Sequence, residues 1–159
     1  MLVLKGGLFI MSVCTFIAAG CELPEKEHPE YETFLEIDTK KGTIYDGDRD
    51  DDYALLNFEE VNDYTELQYG VVLEWNYCTI GRAQQIIEYI KAALCECEVV
   101  QLWTVWLMDY YEYDERPRYK TREITLAELS AEDIQKISEA NVWSDDKVRP
   151  TYYCLSVRK

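Results

Sequence analysis

YGVVLEWNYCTIGRAQQIIEYIKAALCECEVVQLWTVWLM, residues 69–108, reads as strand, helix, strand. In its first nine residues Val71, Leu73, Trp75 and Tyr77 alternate with Val72, Glu74 and Asn76. That is the period of two expected of a strand buried mainly on one face. Thr79 then offers a hydroxyl to cap a helix, and Ile80, Ala83, Ile87, Ile90 and Leu94 recur at spacings of three and four. From Val99 to Met108 apolar side chains stand at both parities, as in a central strand covered on two faces. These three patterns predict a βαβ core.

Beyond that core, Arg116, Arg118, Lys120 and Arg122 alternate with Pro117, Tyr119 and Thr121, which on a strand puts four cations on one face. No glycine-rich phosphate cradle lies nearby, so the expectation is an edge strand blunted by charge rather than an anion-binding stripe. Ser130 and Asp133 make a capping box, with Leu129 and Ile134 placed to staple it. The helix it opens should run to about Ala140 and bury Ile134 and Ile137. Pro150 punctuates the next loop, and residues 151–157 close the chain as a strand. From Tyr69 onward the order is β-α-β-β-α-β, which resembles the ferredoxin-like split βαβ plan: an antiparallel sheet with two helices on one face. The class expected is α+β.

Ahead of the core, residues 34–45 read as a β-hairpin in which Leu35 and Ile37 alternate with polar neighbours and Gly42 supplies a positive φ in the turn. Residues 54–60 read as a short helix. Between them Asp46, Asp48 and Asp50 have the 1, 3, 5 spacing of a calcium loop. Asp51 stands where that loop needs its sharp-turn Gly, and Asn57 where it needs a bidentate Glu. The segment is therefore read as a solvated acidic turn, and no metal is expected.

Residues 1–20 carry Lys5 as their only charge and an apolar run from Leu8 to Ala19. Such a run is short for a transmembrane helix, which needs ~20 apolar residues, and suits a signal peptide. It ends in Ile17, Ala18, Ala19, Gly20 and Cys21, which resembles a bacterial lipobox, with Ala18 where that pattern prefers Leu. The resemblance implies lipidation at Cys21, a polar tether over residues 21–32 and a single α+β domain over residues 33–159, held at the cell envelope. The alternative is an N-terminal strand, with Gly6 and Gly7 as a bend and Phe9 to Ile17 crossing the sheet, in a cytoplasmic protein. Removal of residues 1–20 and lipidation of Cys21 would leave Cys78, Cys95, Cys97 and Cys154 free to form two disulfides in any of three pairings.

The formal charge is −15, from 31 acidic and 16 basic residues. Nucleic-acid binding needs clustered Lys and Arg and is disfavoured, as is electrostatic docking on an anionic membrane. Residues 21–69 hold 16 acidic side chains against 4 basic, so the negative field is concentrated ahead of the core. The one histidine, His28, lies in the expected tether, no glycine pattern reads as a nucleotide loop, and Cys95 and Cys97 have the wrong spacing for a zinc knuckle. No catalytic residue and no cofactor is expected.

A basic protein is the natural partner. In this reading Asp46, Asp48, Asp50, Asp51, Asp52, Glu59, Glu60 and Asp63 steer its approach, and Tyr53, Tyr64, Tyr110, Tyr111 and Tyr113 anchor it. In size, charge and composition the chain resembles the immunity proteins of toxin–immunity systems, which implies an inhibitor that blocks a toxin's active face. The other reading is an envelope lipoprotein of structural or ligand-binding role, anchored through Cys21.

Overall fold

A computed structural model describes residues 12–30, 35–109, 112–140 and 148–159. The fold is α+β: the described residues form eight strands, two α-helices and short 3-10 turns. Six strands form one mixed, mostly antiparallel sheet. They are β1 (Ser12–Ala19), β4 (Ala54–Asn57), β5 (Tyr69–Glu74), β6 (Val99–Leu107), β7 (Tyr119–Thr125) and β8 (Tyr152–Arg158), in the spatial order β4-β5-β1-β6-β8-β7. β2 (Glu36–Asp38) and β3 (Thr43–Tyr45) form a hairpin of their own.

The expected βαβ core is present as β5, α1 (Ile80–Ala93) and β6. Thr79 caps α1 by accepting the Arg82 N–H at 3.1 Å. The two strands do not touch, however. β1 lies between them, antiparallel to both, with Phe16 opposite Val72 on one side and Trp103 on the other. The four-stranded antiparallel sheet expected from Tyr69 onward is thus replaced by six strands, and β7 runs parallel to β8 at one edge.

Burial explains the place of β1. Phe16, Ile17, Ala18 and Ala19 are all fully buried, and each large apolar side chain so placed contributes about 1.5–3 kcal/mol. Ser12–Ala19 forms a strand paired on both sides. Among the described residues no helix is long and apolar enough to span a membrane.

Both helices cover one face of the sheet. There Ile17, Leu55, Val71, Leu102 and Leu155 pack against Ala83, Ile86 and Ile90 of α1 and Ile134 and Ile137 of α2 (Ala131–Ser138). The Ser130–Asp133 capping box opens α2 as predicted. The opposite face is closed by Phe58, Val61 and Tyr64, around a 3-10 turn over Glu59–Asp63, against Phe16, Trp103 and Tyr152. The Phe16 ring lies 4.7 Å from Phe58 and 5.4 Å from Tyr64. The short helix expected over residues 54–60 is instead β4 followed by that turn, because pairing of Ala54–Asn57 with β5 overrides local propensity.

β7 is an edge strand, as its charges suggested. It begins at Tyr119, so Arg116 and Arg118 precede it, and Arg122 is paired with Asp133 at 2.7 Å. Just past β6, Asp109 is buried and accepts from Arg149 Nε and Nη2 at 2.6 Å and from the Tyr152 hydroxyl at 2.6 Å. That cluster fastens the approach to β8.

Candidate partner-binding surface

The acidic loop is built around one cation. Arg82, in the first turn of α1, is completely buried. Its Nε donates to the Arg49 carbonyl at 3.0 Å and its Nη1 to the Tyr77 carbonyl at 3.1 Å. Its Nη2 reaches both oxygens of Asp46 at 2.9 Å and lies 3.5 Å from Asp52. Asp46 also accepts from Asn76 Nδ2, the Tyr77 hydroxyl and the Asp48 N–H. Burial on its own would raise the Asp46 pKa, but the Arg82 guanidinium and these other donors outweigh it and hold the carboxyl well below the usual range. The Tyr77 hydroxyl shares its one proton between Asp46 and Asp48, and the bond to Asp48 above all, with burial second, raises its pKa to about 12.

This wiring divides the expected steering residues. Asp46 is buried and serves as the loop's anchor, so it presents no charge to solvent. Asp51 is paired with Arg49 at 2.8 Å, and Asp52 lies between Arg82 and His28. Asp48 and Asp50 are exposed. Asp48 adopts a positive φ of 52°, a conformation Asp tolerates, which turns the loop outward. The Asp50 carboxylate lies directly over Gly81, where a Cβ would make that exposed side chain turn aside. Glu59, Glu60 and Asp63 are exposed on the 3-10 turn, on the opposite face of the sheet from the helices.

The expected aromatic anchors fare differently. Tyr53 is only 5 % exposed and packs in the helix-side core, and Tyr64 belongs to the aromatic cluster on the other face. The core takes up the Tyr53 ring, while Tyr64 is only partly buried. Tyr113 is partly buried, and Tyr110 and Tyr111 lie outside the described residues. Cys21 is half-buried at the end of β1, with its thiol directed at the Ala93 carbonyl. Residues 21–30 form a strap on the domain: Tyr89 donates to the Pro24 carbonyl at 2.7 Å, and Lys26 bridges to Leu55 and donates to the Asp51 and Tyr53 carbonyls.

No protein-family model, curated protein or solved structure matches this chain. Its function must be argued from its own surface. Among the described residues no group of three or more His, Cys, Asp or Glu side chains is arranged to hold a metal ion.

That surface has an element the composition did not reveal. In the β2–β3 hairpin Ile37 pairs with Ile44, which puts them side by side on one face, and Leu35 shares that face by parity. Leu35 is 53 % exposed, Ile37 60 % and Ile44 56 %. Gly42, at φ 64°, makes the turn, and Asp38 caps it by accepting the Lys40 and Lys41 N–H groups at 3.0 Å. The last residue of β3, Tyr45, leads straight into the Asp46 anchor, so the hairpin is mounted on the loop that Arg82 fixes. Between residues 35 and 52 there are seven acidic and three basic side chains.

Proposed function

We propose that this chain is a non-enzymatic acidic binding protein that docks a basic protein through the β2–β3 hairpin and the loop behind it. The single observation that carries this reading is the aliphatic face of Leu35, Ile37 and Ile44, exposed on a hairpin separate from the main sheet. A three-residue, two-stranded hairpin gains little from folding alone, and apolar side chains held out in water are normally buried by something. The acidic surroundings favour one kind of occupant: a protein with an apolar groove rimmed by Lys or Arg. Asp48 and Asp50 steer its approach and the aliphatic face supplies the contact core. An inhibitor of the immunity type, which blocks a basic partner's working face, fits this division of labour.

The lipid-anchored reading is the weaker one on physical grounds. Cleavage ahead of Cys21 would remove β1, and with it the strand that joins β5 to β6. The proposed reading keeps β1 in the sheet and Cys21 as a thiol.

The test is affinity capture from the source organism by the wild-type chain and by Ile37→Asp/Ile44→Asp, at low and high salt, read by mass spectrometry. The expected result is a basic protein held by the wild type at low salt, depleted at high salt and lost from the variant. Equal capture by both chains would overturn the reading. The substitutions lie on exposed positions outside both cores, so the variant's circular dichroism should match the wild type.

A further inference from the structure

We propose that Cys21 and Cys97 form a reactive thiol pair, a modification site that takes a disulfide oxidant such as oxidised glutathione and becomes a cross-link between the strap and the far end of α1. The two thiols converge on one acceptor. Cys21 Sγ lies 3.6 Å from the Ala93 carbonyl oxygen and Cys97 Sγ 3.2 Å from the same atom. The shared acceptor brings them together although 75 residues of chain separate them. Both are half-buried, so neither is sealed from a small oxidant.

The other cysteines are placed differently. Cys14 and Cys154 are buried on the face away from the helices, and burial above all raises both thiols to about 12, so they act as small apolar side chains. Cys95 is exposed with its thiol turned back on the Lys91 carbonyl, and with one residue between them it cannot easily bridge Cys97. Cys78 is half-buried with its thiol turned to the Thr79 carbonyl at 3.6 Å, which leaves Cys21 and Cys97 as the pair brought together by folding on one acceptor.

Burial, and after it the neighbouring Cys97 thiol, raises the Cys21 pKa to about 11. The exchange is the same in either order; with Cys97 first, its thiolate attacks the glutathione disulfide. It forms a mixed disulfide and expels one glutathione thiolate, which takes up the proton Cys97 lost. Cys21 then attacks the Cys97 sulfur, gives up its proton, and expels the second glutathione. Two protein thiols and one glutathione disulfide become one protein disulfide and two glutathione thiols, with two electrons passed to glutathione. The bond would close a long loop and so restrict the unfolded chain. This inference does not depend on the identity of any partner.

The test treats the purified full chain with oxidised glutathione and compares intact mass, non-reduced peptide maps and the urea midpoint with the reduced protein. The expected product lacks two hydrogens, yields a linked peptide pair containing Cys21 and Cys97, and unfolds at higher urea. Cys95→Ser should retain all three changes; Cys21→Ser and Cys97→Ser should lose them. A stable glutathione adduct at Cys97 with no cross-link would overturn the proposal, as would a cross-link through Cys95 or thiols left unchanged.

Discussion

Replacing Arg82 by Met removes the charge at the centre of the acidic loop and keeps most of the side-chain volume. The Asp46 carboxylate then remains buried with only Asn76, Tyr77 and the Asp48 N–H as donors, and the Arg49 and Tyr77 carbonyls each lose one. Removing one member of a buried ion pair costs about 3–5 kcal/mol, because the other charge is left uncompensated. Against a domain stability of about 5–15 kcal/mol that is a large fraction. With a urea m-value of about 2 kcal/mol/M, the midpoint should fall by ~2 M. Arg82→Met/Asp46→Asn should lose less than the two single variants together, with a coupling of about 1–3 kcal/mol. The assay is equilibrium urea unfolding followed by tryptophan fluorescence. A loss for Arg82→Met within about 0.5 kcal/mol, the range of ordinary surface substitutions, would refute the claim that Arg82 organises the loop.

Two further outcomes follow from the same geometry. Asp46 and Asp133 both have carboxyls held below their ordinary values, so their stabilisation is complete above the unfolded carboxylate pKa of ~3.9 and is lost as pH falls through the folded value. Urea midpoints measured from pH 6 down to pH 2 should therefore fall more steeply below about pH 4 for the wild type than for Asp46→Asn. Parallel curves would count against the Asp46 assignment. A chain beginning at Cys21 lacks β1 and should show no cooperative unfolding transition, whereas a folded, cooperative product would mean the sheet can close without it.

Local pattern was enough to place β5, α1, β6, α2 and β8, because each carries its own period and its own caps. Thr79 and the Ser130–Asp133 box are local signals that act over three residues, and both appear where the sequence puts them. Sheet order was not legible, since nothing local in Ser12–Ala19 says that it pairs with β5 and β6 rather than entering a bilayer. β4 was misjudged for the same reason: its four residues become a strand only when β5 lies beside them. In the candidate site, composition located the acidic loop but not its wiring. Arg82 is separated from Asp46 by 36 positions, and a charged residue on a helix reads as exposed until its partner is known. Tyr53 and Tyr64 look like contact residues by type, yet their burial depends on strands distant in sequence. The apolar face of the hairpin was visible as alternation, but alternation alone does not tell a buried face from an exposed one.

The most direct test of the docking surface is photo-crosslinking in the source organism with a photoreactive residue at position 44 or at position 96. The first lies in the hairpin. The second follows α1, whose 14 residues span about 21 Å from the end that carries the acidic loop. Position 44 should give one adduct of defined mass, formed with a basic protein and weakened by Asp48→Lys/Asp50→Lys, and position 96 none. No adduct from position 44, or the same adduct from both positions, would contradict docking through the hairpin.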